Sequence, residues 1–216
     1  MDKLSSKPAE ETQCDMRNDT RYDLEADLEY VLLTDEQIQK RVKELGALIA
    51  NDYASAADTV GTAGVKGTQG PVVIGILKGA AMFFADLTRA IKTPLTMDFI
   101  AISSYGGGTK SSGEVSLKKD LDGAIEGRDV LLVEDIVDSG ITLSYIVRLL
   151  QARKPRSIKV AALLDKPCRR KTPFKADYIG FEIEDKFVVG YGLDFDQKYR
   201  NLPMIGILKP ELYLKK

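Results

Sequence analysis

Val130-Leu131-Leu132-Val133-Glu134-Asp135-Ile136-Val137-Asp138-Ser139-Gly140-Ile141-Thr142-Leu143 is the stretch on which the fold turns. Four consecutive aliphatic residues, Val130 to Val133, predict a strand buried on both faces. Asp138-Ser139-Gly140 predicts the turn that follows, and Ile141, Ile146, Val147 and Leu150 recur at helical spacing, predicting a helix with that face inward. Working outward, the same alternation repeats. Residues 71–77 form an apolar run followed by a helical pattern over 80–91, and residues 96–103, 158–164 and 178–183 supply three more short strands. Continuous apolar strands separated by helices predict a central parallel sheet covered by helices on both faces. The fold class is α/β.

Upstream, Thr34-Asp35-Glu36-Gln37 has capping-box spacing and predicts a helix start. Ile38, Val42, Leu45, Leu48 and Ile49 then fall on one apolar face. Residues 1–25 are polar, acidic and aperiodic and read as a disordered tail, leaving 26–216 as one domain. Residues 55–70 read as a surface loop. Residues 105–128 form a long excursion containing Gly106-Gly107-Gly108 and Lys118-Lys119-Asp120, and a loop of that length inside a domain is usually functional or disordered. Gly-Gly-Gly-Thr-Lys-Ser within it lacks the glycine directly before Lys110 that a Walker loop needs.

Composition narrows the chemistry. The chain has no histidine, which excludes Ser-His-Asp and Cys-His catalysis and leaves acid–base work to carboxylates, lysines or tyrosines. Cys14 and Cys168 form neither a disulfide framework nor a metal cluster, and fit a reducing compartment. A net charge of −1 gives no global field for nucleic acid or an anionic membrane. No apolar run spans a bilayer, and the first residues lack the hydrophobic segment of a secretory signal. A cytoplasmic protein is expected.

In open α/β sheets, ligands bind at the carboxyl edge of the strands, where Asp138-Ser139-Gly140-Ile141-Thr142 lies. Its backbone N–H groups, the Gly140 bend and two hydroxyls form a cradle suited to a phosphate at a helix N-terminus. Glu134 and Asp135 add two carboxylates just upstream, able to accept from sugar hydroxyls or to stand near Mg²⁺. The plainer alternative is that Asp138 and Ser139 cap the helix and that Glu134 and Asp135 are strand-end surface charges.

The order apolar strand, two acidic residues, two apolar residues, Asp-Ser-Gly, any residue, Thr resembles the phosphoribosyl pyrophosphate (PRPP) motif of type I phosphoribosyltransferases. That resemblance covers about residues 28–213 and implies the family's fold, with a small hood subdomain beside the central sheet. It implies that Glu134 and Asp135 meet the ribose hydroxyls and that Asp138, Ser139, Gly140, Ile141 and Thr142 hold the 5′-phosphate. Leu77-Lys78-Gly79-Ala80 resembles the loop that contacts pyrophosphate, often through a non-proline cis bond before the lysine, although many relatives have Gly or Ser at position 80. Ser103-Ser104-Tyr105 and the glycines after it resemble the mobile loop that closes over PRPP.

Leu163-Leu164-Asp165-Lys166 and Lys186-Phe187-Val188-Val189-Gly190-Tyr191-Gly192-Leu193-Asp194 resemble the purine half of the family's hypoxanthine-guanine branch. There Lys166 would donate to the oxygen at purine position 6, Phe187 would stack on the ring, and the backbone at Val188 would read its edge. Asp194, with Glu134 and Asp135, would help hold Mg²⁺, and Arg200 would face pyrophosphate. Asp138 would accept the N7 proton as N9 attacks. The family resemblance further implies a homodimer or homotetramer. A preference for another base such as xanthine, or a non-catalytic nucleotide-binding role on the same scaffold, are the competing expectations.

Overall fold

In the computed structural model, residues 23–54, 70–104 and 115–214 are described. The expected tail over 1–22, the loop over 55–69 and the glycine-rich segment over 105–114 lie outside them. A 3-10 turn, Leu24–Asp27, leads into strand β1 (Leu28–Leu33). Helix α1 (Asp35–Ala54) follows, and its start has the capping box expected from sequence. Thr34 Oγ1 accepts from Gln37 N at 3.3 Å, and Gln37 Oε1 accepts from Thr34 N at 2.9 Å.

Six strands form the main sheet: β2 (Val72–Leu77), β3 (Thr96–Ser104), β4 (Val115–Lys119), β5 (Asp129–Val137), β6 (Ser157–Asp165) and β7 (Tyr178–Glu182). Their order is β4-β3-β2-β5-β6-β7. Five run parallel, and β4 pairs antiparallel with β3, so the sheet is mixed rather than purely parallel. β4 falls within the excursion read from sequence as a loop. Its short polar sequence, Val-Ser-Leu-Lys-Lys, carries little strand signal and suits an edge.

Period-2 alternation splits the buried strands between two cores. Val73, Leu131 and Val133 face α1 and helix α2 (Ala81–Ala90), while Ile74, Val130 and Leu132 face helix α3 (Ile141–Gln151). This two-sided burial is why β2 and β5 read as unbroken apolar runs. Two helical positions differ from expectation. Leu48 is exposed, because the stripe through Ile38, Val42, Leu45, Ile49 and Tyr53 leaves it about 100° from the centre of the buried face. Ile141 is also exposed, since Leu143, Ile146 and Leu150 form the inward face of α3.

A second, antiparallel sheet has the order β1-β9-β8, formed with β8 (Val188–Val189) and β9 (Ile205–Leu208). With the short helix α4 (Pro210–Tyr213) it builds a small hood over its own core of Leu28, Val189, Tyr199, Leu202 and Leu208. Residues 183–187 join β7 to β8 and so link the two sheets, while the β6–β7 connection (166–177) meets the carboxyl end of β5 at Val137 and Ser139, and the β8–β9 connection (190–204) meets Gly79 after β2.

Candidate active site

The candidate phosphate turn, residues 138–142, is shaped by the loop behind it. The Asp138 carbonyl accepts from Arg170 Nη1, and the Ser139 carbonyl accepts from Lys171 N at 2.9 Å. Thr172 Oγ1 also approaches the Ser139 carbonyl, at 3.5 Å. With its carbonyls tied back, the turn presents its N–H groups on the other side. Gly140 is the N-cap of α3 at φ +79°, a left-handed conformation that favours glycine, and a Cβ there would press on Thr172 and Phe174. Gly140 offers α3 no side-chain cap, and the Ser139 Oγ just before it accepts from Ile141 N at 3.4 Å. The capping alternative for Asp138 is therefore not what the structure contains. The first N–H groups of α3 stand at the positive end of the helix dipole, as an anion site requires. Thr142 is exposed beside them.

β5 runs four residues beyond Val133, so Glu134 and Asp135 lie within the strand, on opposite faces, rather than at its end. Glu134 is buried and Asp135 half-buried. Burial, reinforced by the Asp135 charge, pushes the Glu134 carboxyl well above the usual carboxylate range. Asp135 reaches the pyrophosphate-loop candidate: a Cβ on Gly79 would collide with Asp135 Oδ2. Gly79 is thus the residue that lets this carboxylate approach the backbone.

The peptide bond between Leu77 and Lys78 is cis, as the resemblance implies. Lys78 is exposed, with Nζ donating to Gln197 Oε1 at 3.2 Å. The Gly79 carbonyl meets the loop of Gly192, where a Cβ would also collide. That loop carries Asp194, whose Oδ1 lies 2.7 Å from Arg200 Nη2 and whose Oδ2 accepts from Gln197 N at 2.8 Å. Arg200 Nη1 donates to the Gly192 carbonyl at 2.7 Å, while its Nε is buried without a partner among the described residues. Lys78, Asp194, Gln197 and Arg200 thus form one connected group. Tyr191 anchors the loop from below, donating to Asp86 Oδ2 at 2.7 Å, and burial raises its phenol above the ordinary value.

The candidate base-binding residues sit beside the 138–142 turn. Val137 pairs with Asp165 in the β5–β6 register, and Lys166 N donates to the Val137 carbonyl at 2.9 Å. This places Lys166 alongside Asp138. Lys166 is buried, its Nζ donating to the Lys186 carbonyl at 2.6 Å with Asp185 Oδ1 3.8 Å away. Desolvation holds its ammonium below the usual lysine value. The Lys186 side chain is exposed, so its link to Lys166 runs through its backbone. Phe187 follows with 37% of its surface exposed, and Val188 begins β8. Asp138 is half-exposed, yet its Oδ1 is enclosed. Arg169 Nε approaches that oxygen to 2.7 Å as an ion pair, but no donor meets it in hydrogen-bond alignment. Asp138 is an acceptor with a nearby counter-charge and no aligned proton.

Of the residues singled out from sequence, the turn 138–142 and Glu134 and Asp135 form one cluster. Lys78, Gly79, Asp194 and Arg200 form a second, and Lys166, Lys186, Phe187 and Val188 a third. Gly79 joins the first to the second, and Asp138 beside Lys166 joins the first to the third. Ser104 ends β3, pairing with Val115, and Tyr105 lies outside the described residues. Sequence reasoning missed Arg169, Arg170, Asp185 and Gln197. Arg170 also pairs with buried Asp165, and Arg169 Nη1 lies 3.1 Å from Asp185 Oδ1. The basic run Arg169-Arg170-Lys171 after Lys166 was the available signal.

The donor set suits a magnesium ion shared with substrate. Among the described residues no group of three carboxylates forms a closed cage. Mg²⁺ commonly takes one or two carboxylates and fills the remaining positions with water and substrate phosphates.

Residues 36–196 match the model of the phosphoribosyl transferase domain. The chain is 55% identical over 187 residues to the hypoxanthine-guanine phosphoribosyltransferase of Bacillus subtilis, covering 87% of this chain and 97% of that protein. It is 52% identical over 189 residues to the enzyme of the same name from Staphylococcus aureus, covering 87% of this chain and 97% of that one. A crystal structure of a hypoxanthine phosphoribosyltransferase from Staphylococcus aureus superposes with a TM-score of 0.79 at 50% identity, covering 90% of this chain and 99% of that one. With its matching domain model, its close relatives and a hood beside the main sheet, the chain belongs to the hypoxanthine-guanine phosphoribosyltransferase family.

Proposed function

We propose that the protein transfers the 5-phosphoribosyl group of PRPP to hypoxanthine or guanine, giving IMP or GMP and releasing pyrophosphate, with Asp138 as proton acceptor. The observation that carries this reading is the β5–β6 register. It sets Lys166, a donor suited to the 6-oxo group, beside Asp138 and against the phosphate turn.

Purine N9 attacks the anomeric carbon as the bond to pyrophosphate breaks, through an oxocarbenium-like transition state of the kind seen in glycoside cleavage. N9 attacks with its in-plane lone pair, and the N7 proton passes to Asp138, which removes the positive charge the ring would otherwise carry after N9 bonds to the sugar. The N–H groups at the start of α3 hold the 5′-phosphate, and Glu134 and Asp135 accept from the ribose hydroxyls, fixing the sugar against the base. Lys78 and Arg200 face the leaving pyrophosphate and offset its growing charge. Asp194, Asp135 and Glu134 are the side chains that would hold Mg²⁺, which when bound neutralises pyrophosphate oxygens. Lys166 donates to the 6-oxo group, Phe187 stacks on the ring, and the backbone at Val188 reads its edge. The reading extends to a homodimer or homotetramer in the cytoplasm.

Metal dependence gives a direct test. With hypoxanthine and PRPP, IMP formation is expected to vanish in excess EDTA and to return in proportion to added Mg²⁺. IMP formation at full rate in EDTA removes the metal from the proposal, and no IMP at any Mg²⁺ concentration overturns the activity itself.

A further inference from the structure

We propose that Tyr213 is a positioning residue for the purine base, acting through Phe187. The inference rests on the reading that Phe187 stacks on the base. Phe187 lies on the link between β7 and β8, outside all three cores, and is more than a third exposed. Such a ring can rotate about two side-chain bonds, and a base binding to it must first select one orientation.

The structure removes that freedom from one side. The Tyr213 ring stacks on Phe187 with centroids 4.7 Å apart and planes 19° from parallel. Phe195 meets the same ring in a T-shaped contact, with centroids 5.6 Å apart and planes 88° apart. Tyr213 and Phe195 both pack onto the hood core of Leu28, Val189, Tyr199, Leu202 and Leu208, so the bracket is anchored where Phe187 is not. The backbone ties the parts together: Leu208 N donates to the Phe187 carbonyl at 3.0 Å, one residue before the turn into α4. Lys209 N donates to the Asp27 carbonyl at 3.1 Å, and Lys209 Nζ to the Ala26 carbonyl at 2.6 Å, pinning the start of α4 to the 3-10 turn. Tyr213 therefore holds the plane of Phe187, and the exposed part of that ring is left to the base. The Lys166–Lys186 hydrogen bond fixes the residue before Phe187, so donor and stacking surface keep a set relation.

The tyrosine ring, not its hydroxyl, does this. Stacking of two aromatic rings is worth roughly two- to twelvefold in an equilibrium constant. Tyr213→Ala and Tyr213→Leu, the second keeping apolar bulk without a planar face, are expected to raise KM for hypoxanthine and guanine about five- to tenfold. KM for PRPP should stay within about twofold of the parent. Tyr213→Phe is expected to behave as the parent protein on both substrates. Phe187→Leu, measured alongside, separates the inference from its premise. If Phe187→Leu raises the base KM while Tyr213→Ala and Tyr213→Leu leave it unchanged, the stacking reading stands and the role of Tyr213 is overturned. If Phe187→Leu leaves the base KM unchanged, the stacking reading fails and takes the inference with it. Equal rises in both KM values, or a fall in kcat alone, would mark a general loss of structure and also overturn the proposal.

Discussion

Asp138→Asn is expected to lower kcat by at least about 10²-fold while leaving the Kd for PRPP within about twofold of the parent value. General acid–base help is typically worth about 10²–10⁴-fold, and 10² corresponds to about 2.7 kcal/mol of barrier. The amide keeps the size and an acceptor oxygen of the carboxylate but cannot take up a proton. Asp138 Oδ1 has no aligned donor, so the substitution breaks no hydrogen bond at that oxygen. The charge attraction to Arg169 is lost, but both side chains are about half exposed and such pairs contribute little. Folding should therefore be nearly unaffected. Single-turnover rates with saturating hypoxanthine, together with PRPP titration, separate the two effects. An unchanged kcat would remove Asp138 from the mechanism, and loss of PRPP binding would recast it as a phosphate-site residue.

Lys166→Met is expected to cut kcat/KM for hypoxanthine and guanine about 10- to 150-fold. A hydrogen bond to a charged group is worth about 1.5–3 kcal/mol, which converts to that range. The substitution also leaves the Lys186 carbonyl without its 2.6 Å donor, so a lower unfolding midpoint should accompany it. KM for PRPP should move little, because the 5′-phosphate turn reaches its own partners through Arg170 and Lys171. A parent-like kcat/KM for both bases would show that Lys166 serves the Lys186 carbonyl and not the substrate.

Most of the main sheet was legible because burial on both faces writes unbroken aliphatic runs at β2, β5 and β6. The hood was not legible from pattern, and only the resemblance implied it. β1 shows a mostly exposed pattern and pairs with β9, some 170 residues away, so no local periodicity marks either as partners. β8 has two residues, too few for any period to register. The turn over 138–142 and the acidic pair were readable because they are contiguous in sequence, within one strand–turn–helix unit. Arg169 and Arg170 were passed over because a basic run also suits a solvated surface, and only the fold brings them onto Asp138 and Asp165. Gln197 and Tyr213 carried no signal at all: each matters through a partner distant in sequence, Lys78 in one case and Phe187 in the other.

The central claim is that one edge of the sheet joins a phosphoribosyl group to a 6-oxopurine. Its most direct measurement is a parallel spectrophotometric assay with PRPP and Mg²⁺, offering hypoxanthine, guanine, xanthine, adenine and orotate. Hypoxanthine and guanine are expected to turn over, with no turnover of adenine, which presents a donor where Lys166 needs an acceptor, and none of orotate. Turnover of adenine or orotate in preference to both 6-oxopurines would contradict the base pocket. No turnover of any of the five, with PRPP still bound, would contradict the enzyme and leave a nucleotide-binding protein on the same scaffold.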